Sequence, residues 1–189
     1  MQTENLAIPN RIHILGASGT GTTTLGFAIS RKYGHRHLDT DDFFWLPTDP
    51  PYDQKRPSDQ RLKLLRAATE TASWVLTGSL CGWGDPLIPE FELVIFIVLD
   101  KATRMERLRA REIERYGEEA IDPGGAMHKA HVAFLEWAEQ YDETDLNMRS
   151  LAVHETWIKK LTCPVMRLKG DLATSDQLME LKGFVRSDV

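Results

Sequence analysis

Cysteine is scarce in this chain, which also has no long apolar run and no excess of positive charge. Its two cysteines, Cys81 and Cys163, show neither metal-binding nor redox spacing and suit a reducing compartment. The longest apolar run, 93–99, is far too short to cross a bilayer. The net charge of -5 argues against a general nucleic-acid binder, because such proteins usually carry a basic balance.

The first eleven residues contain no apolar core of the kind that a signal peptide needs, so we expect a cytoplasmic protein without membrane association. The chain has no internal repeat and no low-complexity segment. Its 189 residues are 42% hydrophobic and 27% charged, a composition typical of one soluble domain. We therefore expect a single domain over residues 1–189.

Short apolar segments alternate with amphipathic segments along the chain. The pattern predicts strands at 11–15, 35–38, 74–78, 92–100 and 164–168. It predicts helices at 22–33, 61–73, 102–116, 128–141, 149–161 and 174–185, with Pro- or Gly-interrupted loops at 46–60 and 116–127. This alternation is typical of βαβ units and predicts an α/β fold whose parallel sheet is covered on both faces.

The segment GASGTGTTT, residues 16–24, joins the first predicted strand to the first predicted helix. Gly16 and Gly21 have the spacing of a phosphate-binding loop, in which backbone N–H groups and the helix N-terminus face an anion. Thr23 stands where such a loop offers a hydroxyl to Mg²⁺. A glycine-rich turn that binds nothing is the alternative. The other predicted nucleotide-binding residues of the loop are Ala17, Ser18, Gly19, Thr20, Thr22 and Thr24.

The loop lacks the lysine that usually follows its second glycine, because position 22 is Thr. That lysine normally contacts the β- and γ-phosphates and follows the transferred group. The Thr22 hydroxyl can donate a hydrogen bond but neutralises no charge. We therefore expect phosphate binding to persist, whereas phosphoryl transfer needs a cation from elsewhere in the chain.

Arginines of the helix after the fourth predicted strand are the expected source of that charge. They are spaced three, four and four residues apart, so that they share one helical face: Arg104, Arg107, Arg111 and Arg115. Arginine suits bidentate phosphate contacts. We predict catalytic roles for Arg107, Arg111 and Arg115, ahead of Arg149. A solvated face paired with nearby glutamates is the alternative.

Polar residues follow the second and third predicted strands, whose carboxyl ends should face the phosphate loop. Asp39 and Asp41 are candidates to hold Mg²⁺ or to accept a proton from an attacking hydroxyl. A helix N-terminal cap is the alternative for both. Gly78 and Trp83, after the third strand, are predicted to bind the acceptor.

These features resemble the P-loop nucleoside monophosphate kinase superfamily, particularly its adenylate kinase-related proteins. The likeness rests on GASGTGTTT, DTDD, the third strand with its glycine, and LVIFIVLDKATRMERLRAR. It covers most of the chain by the order of elements. The chain is also similar to a bacterial group with a lysine-less Walker A loop, often labelled adenylate kinase-like or DNA topology modulation protein.

The resemblance implies a three-layer P-loop kinase fold with a five-stranded parallel sheet in the order 2-3-1-4-5. It also implies a helical lid at about 112–147, with Arg107, Arg111 and Arg115 as the lid arginines, and Mg-ATP as the phosphoryl donor. Gly170 would then lie near the adenine. Asp39-Thr-Asp41 is similar to the DTD of shikimate kinases, whose first carboxylate serves the metal and whose second serves the acceptor.

The sequence thus predicts an ATP-binding phosphotransferase that moves the γ-phosphate of Mg-ATP to a small acceptor, expected to be a nucleoside monophosphate. Strand three ends in TGS, without the Asp-Gly pair of adenylate kinases, so a small hydroxyl metabolite is the alternative acceptor. A nucleotide-binding regulatory protein that has lost catalysis with its lysine is the alternative function.

Overall fold

Five strands form a parallel sheet in the computed structural model, which describes residues 8–143 and 148–187. The strands are β1 (Arg11–Gly16), β2 (Arg36–Asp39), β3 (Trp74–Thr77), β4 (Leu93–Val98) and β5 (Val165–Lys169). Their order is β2-β3-β1-β4-β5, and each neighbouring pair runs parallel. The predicted sheet order 2-3-1-4-5 is confirmed.

Helices follow the strands as the alternation predicts. They are α1 (Thr22–Tyr33), α2 (Thr40–Phe44), α3 (Ser58–Thr69), α4 (Lys101–Tyr116), α5 (Glu118–Ile121), α6 (His128–Glu139), α7 (Leu151–Ile158) and α8 (Thr174–Ser187). The short helices α2 and α5 escaped prediction, because four or five residues are too few to show a helical period. Residues 144–147 of the predicted lid lie outside the described residues. Among the described helices, none is both long and apolar enough to cross a bilayer.

Successive residues of β1 pack on opposite faces of the sheet, which creates two apolar layers. Ile12 and Ile14 belong to a buried cluster that includes side chains of α1 and α8. Leu15 belongs to a second cluster, on the other face, with Leu65 of α3 and Trp157 of α7. Burial on both faces explains why β4 is an almost continuous apolar run. The predicted three-layer arrangement is confirmed.

The carboxyl ends of the parallel strands meet at one edge of the sheet, as the parallel order requires. The loop 17–21 follows β1, Asp39 ends β2, and Gly78 and Gly170 follow β3 and β5. This edge therefore gathers residues that are up to 153 positions apart in the sequence, from Ala17 to Gly170.

Helix α4 packs against α6 through a small apolar cluster that contains Leu108 and Ala138. Arg104, near the start of α4, is buried beneath α6, and its guanidinium donates to the carbonyls of Leu99 and Ala138 and pairs with Asp142. Helical spacing groups Arg104 with the later arginines, but these tertiary partners enclose its side chain. Its charge braces the α4–α6 junction.

Candidate active site

A cleft of about 590 Å³ opens at the carboxyl edge of the sheet. Most of the predicted site residues line it: Gly16, Ala17, Ser18, Gly19, Thr20, Gly21, Thr22, Thr23, Thr24, Asp39, Asp41, Gly78, Arg107, Arg111, Arg115 and Gly170. Trp83 is not among the lining residues. Its indole N–H donates to the carbonyl of Ser79, and its ring lies 6.0 Å from that of Phe44.

The loop between β1 and α1 depends on glycine at two positions. Gly19 and Gly21 have φ angles of 86° and 96°, which glycine adopts without strain. At Gly19 a Cβ would also lie 2.9 Å from the carbonyl oxygen of Arg104. Thr20 is buried, and its hydroxyl donates to the carbonyl of Ala17 at 2.9 Å, so this side chain braces the loop.

Helix α1 begins at this loop without a side-chain cap on its first N–H groups. Such free N–H groups, together with the helix dipole, form an anion-binding site. Thr22 is the first residue of α1 and lines the cleft where a phosphate loop usually carries lysine. Among the described lining residues there is no lysine.

Arginines converge on the cleft from two segments, and aromatic rings support three of them. The guanidinium carbon of Arg111 lies 5.6 Å from the centroid of the Phe134 ring. Arg115 lies 5.4 Å from the ring of Tyr52, and Arg149 lies 5.5 Å from that of Trp137. Stacking on an aromatic ring holds a guanidinium in place without neutralising it.

Within residues 8–143 and 148–187, the arginines that line the cleft form no ion pair with a carboxylate. Arg107 instead donates to the carbonyl of Gly170 at 2.9 Å. Burial, helped by the neighbouring charge of Arg115, lowers the pKa of Arg111. Arginine nevertheless stays charged in proteins, so the cleft holds positive charge that an anion would stabilise.

The two oxygens of Asp39 have different partners. Oδ1 accepts a hydrogen bond from the backbone N–H of Asp41 at 3.0 Å and so caps α2. Oδ2 accepts from the hydroxyls of Thr23 at 3.2 Å and Thr77 at 3.1 Å. One carboxylate therefore both caps α2, the alternative predicted for Asp39, and contacts the hydroxyl of Thr23.

The oxygen donors beside the phosphate loop fit Mg²⁺. A Thr hydroxyl and a carboxylate, Thr23 and Asp39, are hard ligands, and Mg²⁺ typically keeps waters and phosphate oxygens as its remaining ligands. The described residues contain no cluster of three or more His, Cys, Asp or Glu side chains suited to a metal.

Asp41 also lines the cleft and is half-buried. Burial raises the pKa of its carboxyl, the charge of Asp39 raises it further, and Arg149 opposes both. A carboxyl whose pKa is raised in this way is suited to proton exchange with a bound hydroxyl. The same cleft therefore contains the predicted proton acceptor and Arg149, which the sequence analysis placed below the arginines of α4.

Tyr52 is a lining residue that sequence reasoning missed. It lies within the predicted loop 46–60 and has a φ of 65°, which is uncommon for a residue other than glycine. Its ring faces the guanidinium of Arg115. No local pattern marks this tyrosine, because the contact joins segments that are more than sixty residues apart.

Ser79, which follows β3, is linked through His154 of α7 to Tyr141, which lies just after α6. Its hydroxyl lies 3.2 Å from Nε2 of His154, and Nδ1 of His154 lies 2.7 Å from the hydroxyl of Tyr141. Burial, with a smaller contribution from the charge of Arg149, lowers the pKa of His154 to about 3. The imidazole is therefore neutral at physiological pH.

Gly78 is required by both backbone and space. Its φ is 104°, and a Cβ there would clash with Oγ1 of Thr40. We expect Gly78→Ala to lower the free energy of unfolding by about 3 kcal/mol, because strained backbone and overpacking each cost roughly 1–3 kcal/mol. Urea unfolding measures this loss.

Gly82→Ala is the matched control. Gly82 has a φ of 82°, but a Cβ would meet nothing within 4 Å, so only the backbone cost of about 1 kcal/mol applies. Equal losses in the two variants would contradict the clash at Gly78.

The sequence is similar to a protein family and to two curated proteins. Residues 12–123 match the family described as AAA domain. The chain is 42% identical over 178 residues to the uncharacterized protein YqaC of Bacillus subtilis (strain 168), covering 94% of this chain and 98% of that protein. It is 30% identical over 172 residues to the cytidylate kinase of Methanocorpusculum labreanum (strain ATCC 43576 / DSM 4855 / Z), covering 77% of this chain and 90% of that kinase.

A solved structure shares the fold at low sequence identity. The shikimate kinase from Bacteroides thetaiotaomicron superimposes with a TM-score of 0.57 at 16% identity, over 93% of this chain and 98% of that chain. At this low sequence identity, the superposition shows a shared fold and nothing about a shared substrate.

Proposed function

The chain belongs to the AAA domain family and is related to the P-loop nucleoside monophosphate kinases, and from that premise we propose that it transfers the γ-phosphate of Mg-ATP to a small acceptor. A nucleoside monophosphate is the proposed acceptor, and a hydroxyl metabolite is the alternative. One observation carries the proposal: Arg111, Arg115 and Arg149 line the same cleft as Thr22, each against an aromatic ring.

The loop 16–24 would hold the phosphates of the donor through its N–H groups and the N-terminus of α1. Gly170, whose carbonyl accepts from Arg107, would lie at the base end of the nucleotide. Thr23 and Asp39 would hold Mg²⁺, which when bound neutralises phosphate charge and orients the transferred group. The two free thiols suit the reducing cytoplasm that we propose as its location.

The arginines replace the charge that Thr22 cannot supply. The acceptor oxygen forms a bond to the γ-phosphorus while the bond from that phosphorus to the bridging oxygen breaks, and ADP leaves with the extra negative charge. Guanidinium groups of Arg111, Arg115 and Arg149 would stabilise this charge as it develops. Held on aromatic rings, they need little rearrangement to do so.

Asp41 has a role that depends on the acceptor. An acceptor hydroxyl must lose its proton when its oxygen attacks, and the Asp41 carboxylate would accept that proton. A phosphate oxygen of a nucleoside monophosphate is already ionised and needs no base. Asp41→Asn should therefore cost far more activity with a hydroxyl acceptor than with a nucleoside monophosphate.

ADP formation from ATP, measured across nucleoside monophosphates and small hydroxyl compounds, tests the proposal. We expect acceptor-dependent turnover with at least one nucleoside monophosphate. ATP binding without turnover for any acceptor would overturn the proposal and favour a nucleotide-binding regulatory protein, the candidate that the missing loop lysine supports.

Thr22→Lys distinguishes a complete site from a damaged one. Because Arg111, Arg115 and Arg149 already line the cleft, we expect the added lysine to give no gain in kcat, and to lower it through like-charge repulsion. Steady-state kinetics on the best acceptor measure the change, and Thr24→Lys shows the effect of the same charge at another position of the loop. A large gain in Thr22→Lys would contradict the proposed role of the arginines.

A further inference from the structure

Hydrogen bonds connect the edge strand of the sheet to Asp39. Nε2 of His37 lies 3.0 Å from Oγ1 of Thr77, and the Thr77 hydroxyl lies 3.1 Å from Oδ2 of Asp39. The pairing of β2 with β3 produces this alignment. Asp39 lies opposite Thr77 in the register, and His37 lies two residues before Asp39, on the same face of β2.

The proton count fixes the direction of these bonds. The Thr77 hydroxyl has one proton, and the charged carboxylate of Asp39 is a stronger acceptor than the carbonyl of Leu38, which lies 3.3 Å away. Once Thr77 donates to Asp39, its oxygen is left to accept. Nε2 of His37 then carries a proton, and this N–H donates a hydrogen bond to the hydroxyl oxygen of Thr77.

Helix α1 leaves space for these two side chains. Gly26 lies inside α1, where glycine weakens a helix relative to alanine. A Cβ at Gly26 would clash with Cγ2 of Thr77 and would lie 2.8 Å from Cδ2 of His37. The glycine therefore serves the packing of this pair against the helix.

Phe27 covers the same imidazole from the outside. Its ring centroid lies 4.2 Å from that of His37, although Phe27 itself is 53% exposed. An aromatic ring left this exposed on a helix surface gains little from its own burial. It instead packs on the imidazole whose Nε2 lies 3.0 Å from the Thr77 hydroxyl.

We propose that His37 and Thr77 are positioning residues for the Mg²⁺ site, because they hold Oδ2 of Asp39 toward the hydroxyl of Thr23. The same oxygen already accepts from Thr23 at 3.2 Å. The inference rests on the proposed function, since it takes Thr23 and Asp39 as the residues that hold the metal. Removing such an outer partner typically weakens metal binding by roughly 10–100-fold.

Binding of Mn²⁺ to the complex with ADP, followed by electron paramagnetic resonance, tests the role without any measurement of turnover. Thr77→Val keeps the side-chain shape but removes the hydroxyl, and we expect it to weaken Mn²⁺ binding by about 10–100-fold. Its affinity for ADP in the presence of a chelator should stay within about twofold of the wild type, because the phosphate loop is untouched.

The His37 variants test the other end of the hydrogen-bond chain. His37→Phe should weaken Mn²⁺ binding by about tenfold, whereas His37→Gln, whose amide can still donate to Thr77, should restore it to within about threefold. Thr77→Ser keeps the hydroxyl, so its affinity for Mn²⁺ should also lie within about threefold of the wild type. Thr156→Val, on the exposed face of α7, is the matched control and should leave Mn²⁺ binding unchanged.

The outcomes separate this inference from the function on which it rests. Unchanged Mn²⁺ affinity in Thr77→Val and His37→Phe, with metal-linked binding in the wild type, would overturn the positioning role and leave the proposed function standing. Equal losses of ADP affinity with and without metal would overturn it too, since they indicate general damage. A wild type whose ADP binding is independent of metal would overturn both.

Discussion

Arg111→Ala should lower kcat/KM for phosphoryl transfer by about 10³-fold, because this guanidinium supplies charge that the phosphate loop lacks. Arg111 lines the cleft midway along α4, against the ring of Phe134. Burial lowers its pKa, which reflects the cost of holding a cation there without an ion pair among the described residues. A phosphoryl group in transfer would relieve that cost, and arginines in this role contribute roughly 10³–10⁵-fold to kcat.

Two variants on the same helix control for structural damage. Arg109→Ala removes an exposed arginine that does not line the cleft, and we expect less than about a twofold change. Arg111→Lys keeps the charge but loses the planar fork, so it should recover only part of the activity. Steady-state kinetics on the best acceptor measure all three. An Arg111→Ala enzyme as active as Arg109→Ala would refute the assignment.

The second large effect concerns stability in weak acid. The protein should lose about 4 kcal/mol of its free energy of unfolding between about pH 7 and about pH 5, because two histidines are buried in neutral form. Burial lowers the pKa of His13 to about 4, against a smaller opposing effect of its hydrogen bond with the carbonyl of Leu76. The pKa of His154 is lowered to about 3.

The sign follows from where protons bind. Below pH 6.5 the unfolded chain protonates both histidines, whereas the folded chain keeps them neutral until its lower pKa values are reached. Acid therefore favours the unfolded state, by about 1.4 kcal/mol per pH unit for each histidine. The stabilising contribution is complete above pH 6.5 and is lost progressively down to pH about 4 for His13 and about 3 for His154.

Urea unfolding at several pH values measures the loss, and single variants apportion it. His13→Asn and His154→Gln should each remove about half of the pH dependence, which also separates it from the opposite contribution of Asp41, whose pKa is raised. Thr156→Val, on the exposed face of α7, removes no titratable group and is the control, which should keep the full dependence. Identical slopes in all three variants would rule out the buried histidines as the cause.

The fold was predictable because local signals and long-range order agreed. The helices predicted to end at residues 33 and 116 do end there, because Gly34 and Gly117 each have a φ of 80° directly after the last helical tyrosine. The apolar run of β4 identified a strand buried on both faces. Because strands and helices also alternate along the chain, the sequence pattern indicated a parallel sheet, which the structure contains.

The site was predictable only where its residues lie next to a recognisable motif. The phosphate loop and Asp39 met that condition. The environment of Arg104 did not, because its partner Asp142 lies 38 residues away and helical spacing alone grouped it with the cleft arginines. His37 and Thr77 came together only through the register of β2 and β3, which no local pattern specifies.

The Asp39 carboxylate both caps α2 and accepts from the hydroxyls of Thr23 and Thr77, so few other amino acids can replace aspartate at position 39. Ser and Thr are good helix caps, but each has a single oxygen, which the cap would occupy. Asn keeps one acceptor and turns an amide donor toward hydroxyls that must themselves donate to Asp39. Aspartate alone combines a short stem with two acceptor oxygens, so position 39 should tolerate fewer exchanges than Asp100, whose carboxylate caps α4.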